Sequence, residues 1–122
     1  MSVNINNDLI RRGSIFMADL DRPIGDELGY RRPVVIIRSN ELIDNSSTIL
    51  VAVITGRTLR YDSEAHVEFR YTSNERPLTI MLEHLRTIDR SRLVRFCATL
   101  CDDGMEAVDA ALRVVTGFKE GN

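Results

Sequence analysis

Two apolar runs, Arg32 to Ser39 and Ile49 to Thr55, constrain this chain most, because neither alternates with polar residues. A strand that is apolar at consecutive positions has no face to offer water, so both runs belong inside a sheet covered on its two sides. They form its centre. Asn40 to Ser47 joins them as a polar connection. The first run follows a glycine-hinged loop, Gly25-Asp-Glu-Leu-Gly29, through Tyr30-Arg31-Arg32-Pro33. Pro33 has no N–H for a ladder and biases Arg32 towards extended backbone angles, so the guanidinium is aimed from a stiff point where the loop ends. A guanidinium held in this way can grip a phosphate with two parallel hydrogen bonds. An Arg-Pro before an edge strand is ordinarily a surface feature. What changes its weight is the second run, which ends on a hydroxyl, a glycine and a cation, Thr55-Gly56-Arg57.

Around this centre, Ser14 to Leu20 reads as a first strand stopped by Asp21-Arg22-Pro23. Thr58 to Ala65 is an exposed loop, His66 to Arg70 a half-exposed strand, Asn74 to Pro77 a turn and Leu78 to Glu83 a core strand. Asp89 can cap a short helix through Arg90, Arg92 and Leu93, with Phe96 on its apolar side and its arginines as a solvated face. Asp103 with Glu106 makes a capping box for a final helix, in which Met105, Val108, Leu112 and Val115 repeat at helical spacing and Gly117 is the stop. Short strands followed by one amphipathic helix predict a mainly β fold, a small, strongly twisted β-barrel with helices packed outside. Residues 1–10, polar and Asn-rich, read as a flexible arm. Residues 11–122 form one domain, since 122 residues with 43% hydrophobic content suffice to bury a core.

Charge narrows the functional classes. A net charge of −2 argues against a generally basic nucleic-acid coat protein, so any site for a polyanion is local. No apolar run is long enough to span a bilayer and the N-terminus lacks the pattern of a signal peptide, which places the protein in the cytoplasm by expectation. Every basic residue but Lys119 is arginine, the side chain suited to planar recognition of phosphate. Cys97 and Cys101 are too few for a disulfide scaffold and lack neighbours for a zinc site, so both read as small core residues and no metal is expected.

An ordered set of motifs resembles the MazF/PemK/Kid family of toxin ribonucleases. The pieces are Arg12-Gly13 opening a strand, Gly25-Asp-Glu-Leu-Gly29, Arg32-Pro-Val-Val-Ile-Ile37, Val51-Ala-Val-Ile-Thr-Gly-Arg57, His66-Val-Glu68, Leu85-Arg-Thr-Ile-Asp89 and Asp102-Asp-Gly-Met105 before the last helix. The match runs from about Arg11 to Phe118. It implies an SH3-like plasmid-maintenance toxin barrel, a symmetric homodimer with RNA crossing the interface, and cofactor-free, metal-independent cleavage of single-stranded RNA at a short sequence. It also implies a cognate antitoxin, for which an acidic, flexible segment competing with RNA is the expected form. Position by position, Arg32 and Thr55 match the catalytic arginine and threonine, Glu27 the loop glutamate and Arg86 an arginine placed near RNA. Tyr30, Arg31, Gly56 and Arg57 complete the expected RNA-binding set. The chain departs from the family pattern at Asp26, at Tyr30-Arg31 and at His84, where many relatives carry Gln.

The chemistry implied is attack of a ribose 2′-OH on the adjacent phosphate, giving a 2′,3′-cyclic phosphate and a 5′-OH. Arg32, the Thr55 hydroxyl and the Gly56 N–H are the candidate donors to the charge that builds on the non-bridging oxygens. Arginine is a poor base at neutral pH, so Glu27 and His84 stand as the candidate proton acceptors. Two other classes share the fold or the binding chemistry: CcdB-like toxins that bind gyrase without cutting, and a non-catalytic RNA- or protein-binding module. The first carries a Trp-Gly-Ile type tail, whereas this chain has no Trp and ends Phe118-Lys-Glu-Gly-Asn122.

Overall fold

The computed structural model describes residues 7–22, 24–25, 29–43, 46–57 and 63–118. Six strands, β1 (Ser14–Asp19), β2 (Arg31–Ile36), β3 (Thr48–Thr55), β4 (His66–Phe69), β5 (Leu78–Asp89) and β6 (Leu93–Thr99), form one antiparallel sheet. Its order is β4-β5-β3-β2-β1-β6, so the two continuous apolar runs are the central pair. Alternate residues of that pair feed two cores. Val34, Ile36, Ile49, Val51 and Val53 join Phe16, Ile88 and Leu93 on one face. Val35, Ile37, Ala52 and Ile54 join Ile15, Ile80, Leu82, Val108 and Ala111 on the other. Each such side chain, fully buried, contributes roughly 1.5–3 kcal/mol, so two covered faces need the unbroken apolar runs the sequence shows.

The mainly β architecture with a C-terminal helix is as expected, but the barrel does not close. Edge strands β4 and β6 stay unpaired with each other and line a common cleft of about 490 Å³, together with Ile15 and the first turns of the last helix.

β5 is twice the length the pattern suggested. Ala52 pairs with Leu85 but Val53 pairs with Met81, so Leu82, Glu83 and His84 fall in a break of register. The strand bends there and continues, and this interruption is why its apolar pattern seemed to end at Glu83. β6 was not foreseen. Its two register shifts against β1 blur any alternation, and Phe96 reaches the core from this strand, edge-on to Phe16 at 5.6 Å, rather than from beneath a helix.

Between β5 and β6 the expected short helix is one 3-10 turn, Arg90–Arg92, with Asp89 accepting from the Ser91 N–H at 2.9 Å. Its arginines are not a solvated face. Arg90 donates to the carbonyl of Ile43, the last residue of α1 (Asn40–Ile43), and to that of Ser46. The body also begins before Arg11: Asn7–Leu9 forms a 3-10 turn and Ile10 is 3% exposed within the core, a correction to the arm boundary.

The last helix, α2 (Asp102–Thr116), packs Met105, Val108, Ala111, Leu112 and Val115 against the second core. Its cap is Cys101, whose sulfur accepts from the Gly104 N–H at 3.4 Å, not the expected capping box at Asp103. Cys101 is exposed, not the core residue expected, whereas Cys97 is half-buried and packs against the second core. Arg12 ties α2 down through Asp109 at 2.6 Å and the Ile37 carbonyl at 2.9 Å. Beside it Gly13, at φ +93°, lets the chain pass so close that a Cβ would stand 3.2 Å from the Met105 sulfur. Gly117, at φ +71°, ends the helix.

Candidate functional site

Arg32, near the start of β2, and Thr55, at the end of β3, lie at the same end of an antiparallel pair. β2 and β3 pair Ile36 with Val51, Val35 with Ala52 and Val34 with Val53. Continued two residues further, the same register sets Arg32 opposite Thr55, beyond the point where Pro33 denies the ladder a donor. The Arg32 Nε donates to the Gly29 carbonyl at 3.1 Å, which anchors the guanidinium to the loop end and leaves its terminal nitrogens for a ligand. Thr55 is 2% exposed and its hydroxyl accepts from the Arg57 N–H at 3.2 Å, so its own proton remains to be donated. Arg32 therefore presents held donors, while the Thr55 hydroxyl is held but buried at the end of β3.

The loop before β2 is pinched at its base. The Tyr30 N–H donates to the Asp21 carbonyl at 2.6 Å and the Leu20 N–H to the Tyr30 carbonyl at 2.8 Å. Asp21 and Tyr30 both adopt positive φ, +64° and +60°, a conformation that costs non-glycine residues roughly 1–2 kcal/mol each. Two arginines hold this neck. Arg92 pairs with the Asp21 carboxylate at 2.7 Å and donates to the Asp19 carbonyl, while Arg86 donates to the Leu20 carbonyl at 3.4 Å. Hydrogen bonding to the Arg92 guanidinium holds the Asp21 carboxyl below its ordinary range. Sequence reasoning missed Arg92, because only the fold reveals that the turn after β5 lies against the loop. The strained neck leaves Tyr30 63% exposed beside Arg31 and Arg32.

The other expected residues divide. Gly56 and Arg57 are exposed at the end of β3, and the Arg76 guanidinium lies 3.4 Å from the Gly56 carbonyl. Glu27, with Asp26, lies outside the described residues. Of the two histidines, His66 bonds through Nε2 to a Glu83 carboxylate oxygen at 2.6 Å, whereas His84 is half-buried in the bend of β5. Neither forms a hydrogen bond with Arg32 or Thr55. Among the described residues no three of His, Cys, Asp and Glu gather in a group able to hold a metal ion, and no helix is long and apolar enough to cross a membrane.

Residues 11–116 match the family described as PemK-like, MazF-like toxin of type II toxin-antitoxin system. The chain belongs to the PemK/MazF family. Over 112 residues it is 36% identical to the endoribonuclease MazF of Staphylococcus saprophyticus subsp. saprophyticus, which covers 90% of this chain and 93% of that one. Among solved structures it resembles MazF from Deinococcus radiodurans, with a TM-score of 0.75 at 20% identity over 90% of this chain and 98% of that one. A mycobacterial endoribonuclease in complex with its cognate antitoxin gives a TM-score of 0.74 at 15% identity, over 91% and 98% of the two chains. These structural likenesses establish the toxin fold.

Proposed function

We propose that this chain is the toxin of a type II toxin-antitoxin pair, an endoribonuclease that cuts single-stranded RNA by intramolecular transesterification. The observation that carries the reading is the β2–β3 register, whose pairs end at Val34 with Val53 and which, continued two residues, brings Arg32 opposite Thr55. In the reaction the 2′-oxygen bonds to the adjacent phosphorus as the bond to the 5′-oxygen breaks. The 2′-OH proton passes to a base and the departing 5′-oxygen takes one up. The products are a 2′,3′-cyclic phosphate and a 5′-OH. Arg32 and the Thr55 hydroxyl donate to the non-bridging oxygens, where charge grows. The protein works as a homodimer in the cytoplasm, with no cofactor, and a cognate antitoxin blocks it by laying an acidic segment over Arg32 and its neighbours.

Incubating the purified protein with a long transcript in EDTA tests the reading. Cuts at a short sequence, each leaving a 2′,3′-cyclic phosphate and a 5′-OH, are expected; an intact transcript, or cutting that needs added divalent metal, overturns it.

His84 is the proposed proton acceptor, because the only other imidazole is engaged by Glu83. A lowered kcat/KM is expected in His84→Gln. An unaltered rate in that variant would pass the role to Glu27 or to solvent.

Tyr30 is proposed to stack on a base. Tyr30→Gly should shift the cut-site preference and also stabilise the fold, because glycine adopts the neck's positive φ freely; about 1 kcal/mol is expected, read as a raised Tm. A preserved cut-site profile rules out stacking, whatever the change in stability.

A further inference from the structure

Beside the Arg32–Thr55 pair, on the β1, β2 and β6 side of the strand ends, lies a groove of about 490 Å³. It is lined by Met17, Pro33, Tyr71, Leu78, Arg95, Cys97 and Ala98. Its position is fixed by two neighbours of the candidate site. Pro33 follows Arg32 in the chain, and Leu78 comes within 3.4 Å of where a Cβ on Gly56 would stand. We infer that this groove is a nucleotide subsite for the RNA strand running on from the cut phosphate, with Tyr71 stacking on a base and Arg95 meeting the phosphate beside it. The inference rests on the ribonuclease reading above and adds the residues that select one nucleotide.

The lining favours this occupant over a peptide side chain or a lipid tail. The groove has an apolar floor, an aromatic wall and one cation, and no acidic residue contributes to it. Arg95 is exposed, with the Cys97 sulfur at 3.7 Å as its hydrogen-bond neighbour, and no carboxylate of a described residue pairs with it. A guanidinium with only a thiol beside it gains most from an incoming anion. Tyr71 is 39% exposed and braced edge-on by Phe69, with ring centroids 5.4 Å apart, so a stacking surface is presented by a side chain already held. The volume suits one nucleotide.

Cleavage kinetics and RNA binding of Tyr71→Leu and Arg95→Gln test the inference, with binding measured by fluorescence anisotropy in an Arg32→Ala background. Each variant should raise KM and weaken binding by about tenfold while changing kcat less than twofold. The Tyr71→Leu penalty should disappear on RNA carrying an abasic ribose at one position near the cut, while the Arg95→Gln penalty persists, since that phosphate remains. Unchanged KM and binding in both variants, with wild type cutting normally, would overturn the subsite alone. A shift of either variant from dimer to monomer would overturn it too, by making the groove a protein interface. If wild type cuts no RNA the catalytic reading falls, and anisotropy still decides the groove: RNA binding that weakens in both variants upholds it, and binding that does not change, or is absent, overturns it.

Discussion

Alanine at Arg32 or at Thr55 is expected to lower RNA cleavage by two or more orders of magnitude and to leave the fold intact. The size follows from the stage at which each group acts. A donor that meets charge only as the transition state forms contributes about 10²–10³ in kcat when removed elsewhere, and its loss lowers kcat and kcat/KM together. The fold should survive for local reasons. Arg32 is half-buried, and its Nε bond to Gly29 joins a loop end rather than a core element. Thr55 is buried, but the Arg57 N–H that its hydroxyl accepts belongs to an exposed residue, so water can replace the lost partner at a cost of about 1 kcal/mol. Conservative variants sharpen the test. Thr55→Ser keeps the hydroxyl and should recover most of the rate, whereas Arg32→Lys keeps the charge but loses both the paired donors and the anchoring Nε, and should recover little. Circular dichroism and sedimentation identical to wild type, with cleavage lost, is the expected pattern. Near-normal cleavage by either alanine variant would put the chemistry elsewhere on the molecule.

The central sheet and the positions of the two proposed catalytic residues were legible in the sequence for one physical reason. A short, β-branched apolar run without alternation reads as a doubly covered strand, and the polar residues at its end, Arg32 on one run and Thr55 on the other, then lie at the sheet's rim. What stayed hidden depends on contacts between segments distant in the chain. Arg92 reads as part of a charged turn until the fold lays that turn against Asp21, 71 residues earlier in the chain. The strain at Tyr30 is likewise a property of the neck, set by two backbone bonds to Leu20 and Asp21. β6 escaped notice because its register slips twice against β1, and the bend in β5 because three residues fall out of the ladder. Periodicity reports faces only where register is unbroken. The thiol cap on α2 had no signal in the pattern, because Asp103 and Glu106 satisfy the usual capping spacing two residues too late.

Replacing the ribose 5′ to the cut by its 2′-deoxy form should abolish cleavage altogether, the largest effect expected of any single change. Donors on the non-bridging oxygens stabilise a five-coordinate phosphorus, but they supply no nucleophile. In the proposed route that role belongs to the substrate's own 2′-oxygen, so Arg32 and Thr55 keep their full donor capacity on the deoxy strand and have nothing to accelerate. Binding should hardly change, since the bases and phosphates of the strand are intact. The deoxy oligonucleotide is therefore expected to act as a competitive inhibitor, with an inhibition constant close to the KM of the matching RNA. Product analysis gives the opposing result its own signature. Water attacking phosphorus directly would tolerate the missing 2′-OH and leave a linear phosphate, so a cut deoxy strand ending in a linear phosphate would replace transesterification by hydrolysis and reassign His84 from deprotonating a ribose to activating a water.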